Sequence, residues 1–181
     1  MRNWFLTRIL QRKALKKLTD IHHGKYVSLS SAHLVGLIVN TENPDTAEAV
    51  KTFLKRMAAA GKACRVICLD FGKEPLTDQK LLNDSNVTIL RRRNLNWYGI
   101  PRPESTAQFL QQPFDILIDL TSGKRLFQAD FLLKKANAAL LIGIENNRIS
   151  QYDMVVSGND GGESRSERLI DNIINYLTTI H

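Results

Sequence analysis

The polar side chains best placed to do chemistry crowd into one short stretch, residues 112–124 (QPFDILIDLTSGK), where Asp119, Thr121, Ser122 and Lys124 follow directly on an apolar run. An aspartate in that position can act as a general base once its surroundings raise its pKa, with the hydroxyls and the lysine to hold a polar or anionic ligand. Asp115 stands four residues earlier on the same strand face, so the two carboxylates are too far apart to work on one substrate atom. The structural alternative for Asp119 is the ordinary role of a strand-end aspartate, accepting hydrogen bonds from loop amides.

Other motifs exclude more than they establish. Asp70 ends a second apolar run, ACRVICLD, where a ribose-binding acid would stand, but the turn after the first strand is Asn40-Thr41-Glu42-Asn43-Pro44. Without glycines a pyrophosphate cannot approach that backbone, and Glu42 repels it, so NAD and FAD are excluded and Asp70 reads as a solvent-facing acid. Ser122-Gly123-Lys124 lacks the glycine and the following hydroxyl residue of a phosphate-binding loop, since Ile118 and Arg125 occupy those places. Residues 158–164 (GNDGGES) join a strand to a helix, yet Asp160 and Glu163 oppose an anion there, and a mobile connection is the simpler reading. His22, His23, His33 and His181 show no spacing that would bind a metal, and no cofactor is implied.

The long irregular segment 91–104 (RRRNLNWYGIPRPE) sets Arg91, Arg92, Arg93 and Arg102 beside Trp97 and Tyr98. Basic groups with aromatics can hold phosphate and stack a base or a sugar. The alternative is packing, with Trp97 plugging the carboxyl end of a sheet and the arginines solvated. With Thr41, Asp119, Ser122 and Lys124, Arg92 and Trp97 make up the candidate crevice for a small polar ligand.

The elements that must position these residues alternate. Apolar runs at 34–39, 63–69, 87–90, 139–144 and 152–157, together with the stretch 112–124, read as strands, with a short edge strand at 26–29. Between them, helical periods are expected at 44–60 (Pro44 in the first turn, Asn43 as cap), 75–82, 105–111 and 127–136. A closing helix over 165–180 is announced by Ser164 and Glu167 at capping-box spacing and by Leu169, Ile170, Ile173, Ile174, Leu177 and Ile180 on one face. Residues 112–124 then supply the central strand, buried on both faces by helices.

Length suits one domain with its own core. Cys64 and Cys68 lie in one strand about 13 Å apart, too far for a disulfide, and read as reduced core thiols of a cytoplasmic protein. No apolar run is long enough to span a membrane, and Arg2, Arg8, Arg12 and Lys13 break up any signal-peptide core.

Charge is concentrated at one end. Residues 1–25 hold seven Lys and Arg against Asp20 alone, a net of +6 out of the formal +7, so the remaining 156 residues carry +1. Leu6, Leu10, Ala14, Leu18 and Ile21 form a helical stripe, and Arg8, Arg12, Lys13, Lys16 and Lys17 fan over the other side. His22, His23 and Gly24 are expected to close this helix. Such a helix can attach to an anionic membrane surface or to RNA, or fold onto the domain with its cations solvated.

At FDILIDL together with NWYGIP, the chain resembles a family of short bacterial α/β proteins catalogued as a domain of unknown function. The likeness runs from the basic N-terminal helix through Trp97, Gly99 and Pro101 and the strand around Asp119 to the closing amphipathic helix. A weaker likeness links FDILIDL and FLLKKANAALLIGI to the acceptor-binding half of heptosyltransferase-like glycosyltransferases, which need a second, nucleotide-sugar-binding domain. The expectation is a Rossmann-like three-layer α/β sandwich over 26–181 with a basic amphipathic extension over 1–25. It would work as a non-enzymatic binding module attached through that extension to an anionic surface, the inner membrane first and RNA second. The alternative is a sugar- or nucleotide-binding protein, or a degenerate glycosyltransferase-like domain, using the crevice.

Overall fold

A computed structural model of the chain describes residues 4–18, 24–42, 44–123, 126–145, 152–157 and 165–179. Its elements run α1 (Trp4–Lys16), β1 (Leu34–Asn40), α2 (Thr46–Ala59), β2 (Ala63–Asp70), α3 (Gln79–Leu82), β3 (Val87–Arg91), α4 (Pro103–Leu110), β4 (Pro113–Asp119), α5 (Phe127–Lys135), β5 (Asn137–Ile144), β6 (Met154–Val156) and α6 (Arg165–Thr179). The six strands form one parallel sheet in the order β3-β2-β1-β4-β5-β6, with β1 and β4 paired at the centre, Val35 opposite Ile116 and Ile38 opposite Asp119. This is a Rossmann-like sandwich, and the near-continuous apolar strands are what burial on two faces demands.

Strand alternation sorts the core into two layers. Val35, Leu37, Val39, Ile116, Ile118 and Ile142 face the buried sides of α2 and α6, where Val50, Phe53, Met57, Ile170 and Ile173 meet them. Ile38, Ile67, Leu69, Leu117 and Leu141 face Phe109 of α4 and Leu132 and Leu133 of α5. Gly36 leaves the room this second layer needs: a Cβ there would stand 2.7 Å from Leu117 Cδ1 and 2.8 Å from the Phe114 ring.

Several local expectations change. α1 stops at Lys16 rather than at Gly24, its last turn tightened by bonds from Lys17 N to Ala14 O and Leu18 N to Leu15 O. Gly24 does take a left-handed conformation, in an extended segment beyond the helix; His22 and His23 lie outside the described residues. Residues 26–29 are not a strand. The amides that flank and end this segment go instead to Ala139 O (from Lys25) and Leu177 O (from Leu29), tying it to β5 and α6. The helix expected over 75–82 shrinks to the four residues of α3, because Asp70 holds the amide of Leu76 and the helix starts only where Asp78 accepts the amides of Lys80 and Leu81.

α2 begins at Thr46, after Pro44, and its N-cap residue Asp45 makes no side-chain cap to its own helix. The Asp45 carboxylate instead accepts Ser166 N at 3.0 Å, capping α6 from the neighbouring helix. Ser164, Asn43 and the 158–164 connection lie outside the described residues. Glu167 turns to Thr52 Oγ1 at 2.7 Å, and Arg56 pairs with Asp171 at 2.9 Å, so α2 and α6 are joined by polar contacts as well as by their apolar faces.

A closed switch point and two flanking cavities

Ligands of open parallel sheets sit where neighbouring connections diverge at the carboxyl ends of the strands, here between β1 and β4. Protein atoms fill that position. Asn40, 2% exposed, donates Nδ2 to Ser122 O at 3.1 Å and accepts Ser122 N on Oδ1 at 3.0 Å, stapling the end of β1 to the loop after β4. Beneath it Asp119 is fully buried; its Oδ1 accepts Thr121 N and Thr121 Oγ1, and its Oδ2 accepts the Tyr152 hydroxyl at 2.5 Å. The Tyr152 ring fits because residue 143 is glycine, the ring occupying the place of a Cβ there. Asp119 is therefore a structural carboxylate.

Of the remaining candidate residues, Thr41, Arg92 and Trp97 line two cavities. The larger, about 740 Å³, lies between the β1 loop and the 71–78 loop, lined by Thr41, Glu42, Phe71, Asp78 and Arg92 among others. The Asp78 carboxyl is held below the usual carboxylate range by the Lys51 ammonium and by the amides of α3. The smaller, about 450 Å³, lies between α1, the β3–α4 connection and the start of α5, and includes Glu42, Arg92, Trp97, Gln11 and Gln128 in its walls. Arg92 is shared by both. Thr41 and Trp97 thus open onto different cavities, Asp119 and Ser122 line neither, and Lys124 lies outside the described residues.

Asp70 and the arginine-rich segment depart furthest from expectation. Asp70 does not face solvent: it is 6% exposed, accepts Arg91 Nε at 2.9 Å and Thr41 Oγ1 at 2.9 Å, and fixes the Leu76 amide. Arg91 also reaches Leu76 O, and Arg92 Nη2 reaches Phe71 O at 2.7 Å, so two of the arginines are struts of the 71–78 loop. Trp97 does not plug the sheet. The Asn96 side chain accepts the amides of Tyr98 and Ile100, and the turn this makes leaves Trp97 59% exposed, its ring tilted by 40° against that of Tyr98.

α1 rests on this same corner. Gln11 donates Nε2 to Tyr98 O at 2.7 Å, and the helix lies along α5. The side chains of Thr7, Leu10, Gln11, Ala14, Leu15 and Leu18 are half-buried, while Arg8, Arg12, Lys13, Lys16 and Lys17 are all exposed, as is Leu6 at 43%. Among the described residues no helix is long and apolar enough to cross a membrane, and no group of three or more His, Cys, Asp or Glu could hold a metal ion.

Residues 5–180 match a family of unknown function, DUF6913. The chain belongs to that family. The match covers nearly the whole length, α1 included, so the basic helix lies within the shared unit. No curated protein matches the chain. The residues that build the staple and the cavity walls but escape sequence reasoning are Asn40, Tyr152, Gln11 and Gln128. Each acts through a partner at least 29 positions away, and only the position of Asn40 at the end of an apolar strand hints at its role.

Proposed function

We propose that this DUF6913 protein is a binding module that attaches peripherally to an anionic membrane surface through the solvent face of α1. The observation that supports this reading is that Arg8, Arg12, Lys13, Lys16 and Lys17 are all exposed while the opposite face of the helix rests on the domain. Near an anionic leaflet each such cation contributes on the order of 1 kcal/mol. Leu6, at 43% exposure, lies between Lys13 and Lys17 on the helical wheel and would enter the acyl boundary, a contact that RNA phosphates cannot use. A non-catalytic role agrees with the engagement of Asp119, the one candidate base, by Thr121 and Tyr152.

The test is co-sedimentation of the full chain with phosphatidylcholine vesicles, with and without phosphatidylglycerol, at low and high salt. Binding is expected on the anionic vesicles only and is lost at high salt. Exchanging Arg12, Lys13, Lys16 and Lys17 together for glutamine should weaken it roughly a thousandfold, four contributions of about 1 kcal/mol each. Equal binding to neutral vesicles, an unchanged quadruple variant, or binding to single-stranded RNA without vesicle binding would each overturn the reading.

A further inference from the structure

The cavity between α1, the β3–α4 connection and α5 is separate from the basic face and has the chemistry of a ligand site. Its volume of about 450 Å³ lies within the usual range of small-molecule pockets. Trp97 contributes to its wall and keeps 59% of its surface in solvent, held in place by Tyr98 and the Asn96 turn rather than by burial. An indole exposed to this degree loses apolar contact for as long as nothing covers it.

The polar groups around it are fixed, and they offer both donors and acceptors. Gln11 Nε2 and Gln128 Nε2 each spend one N–H on a carbonyl, that of Tyr98 and that of Gly99, both at 2.7 Å, which fixes the two amides and leaves each glutamine its Oε1 as acceptor and its second N–H as donor. Glu42 adds a carboxylate, and Arg92, anchored on Phe71 O, adds N–H donors. One acid and one base leave the wall without net charge. An anionic ligand would meet Glu42, and a cationic one would meet Arg92. A neutral ligand rich in hydroxyl groups, which both donate and accept, with a flat face of C–H groups to lie on the indole, matches these groups together.

We propose that this cavity binds a neutral sugar ring, with Trp97 as the stacking platform, Gln11, Gln128 and Glu42 accepting from its hydroxyls, and Arg92 donating to them. The site uses no residue of the basic solvent face, so its occupancy is independent of membrane attachment as a claim. Because α1 supplies one wall through Gln11, an intact N-terminal helix is required for it.

The experiment is ligand-observed saturation-transfer NMR on the full chain with a panel of methyl glycosides of the common hexoses and N-acetylhexosamines at millimolar concentration. Uridine monophosphate and tetramethylammonium serve as charged probes. At least one glycoside should show saturable transfer, strongest at the protons of one ring face. Trp97→Ala should weaken it at least tenfold, and Glu42→Ala should weaken it less, with the thermal midpoint and vesicle binding of both variants unchanged. No transfer to any glycoside, transfer that persists in Trp97→Ala, or preference for either charged probe would overturn the assignment.

Discussion

Asn40→Ala removes the staple across the β1–β4 switch point. The wild-type side chain makes two bonds to one peptide neighbour, at 3.0 and 3.1 Å, from a position 2% exposed. Each neutral bond is worth about 1 kcal/mol, and leaving a buried donor or acceptor unmatched adds to the loss, so the truncation should cost about 2–3 kcal/mol. At roughly 2–4 °C per kcal/mol for a chain of this size, the thermal midpoint should fall by about 5–10 °C. Asn40→Asp sharpens the test. In the ionised form the introduced carboxylate faces the Ser122 carbonyl with no proton to offer, whereas in the protonated form it reproduces both bonds of the amide. Its folded pKa must therefore lie above the unfolded value of about 3.9, and the stability it confers is present below that value and lost as pH rises through the folded one. Urea denaturation of wild type and both variants at neutral pH and near pH 4 measures this. Asn40→Asp should be at least as damaging as Asn40→Ala at neutral pH and should approach wild type in acid. A loss below about 0.5 kcal/mol for Asn40→Ala, the level of an ordinary surface change, would refute the staple.

Three further outcomes follow from the core and the loop struts. Burial pushes the Cys68 thiol up to about 12 and raises that of Cys64 as well, so neither should react with a disulfide reagent at mildly alkaline pH until the chain unfolds. By linkage the fold should lose stability as pH rises above the ordinary thiol value of 9.0, where only the unfolded chain gives up these protons, and prompt labelling of the native protein would contradict this. Arg91→Met strips the guanidinium from a nearly buried Asp70 and should cost about 3 kcal/mol in a denaturant titration, with faster proteolysis in the 71–78 loop; an unchanged midpoint would count against the strut. Gly36→Ala sets a methyl group against Leu117 and Phe114 and should cost about 1–3 kcal/mol by thermal melt, and a neutral result would mean that this layer can expand.

Much of the architecture was legible locally. Apolar runs buried on both faces are a one-dimensional signature of a parallel sheet, and five of the six strands expected from 34 onwards fall within two residues of the observed ones, as do both bounds of α4, α5 and α6. The apolar faces of α2 and α6 followed from the 3.6-residue period alone. The short segments failed, 26–29 and 75–78, because propensity is weak over four residues and bonds to β5, α6 and Asp70 outweigh it.

The amino-acid sequence by itself determined the alternating elements, the two-faced sheet, the concentration of cations in residues 1–25 and the lack of a glycine-rich phosphate loop, since each depends on neighbours along the chain. Only the tertiary structure decided what the polar residues do. It turned Asp70, expected to face solvent, and Asp119, the candidate base, into buried acceptors, split the expected crevice into two cavities, exposed Trp97 and laid α1 against α5 with its cations outward. The physical reason is common to all four: the role of a polar group follows from which donors and acceptors reach it in three dimensions, and here those partners come from distant parts of the chain, Asn40 and Ser122 across 82 positions and Gln11 and Tyr98 across 87.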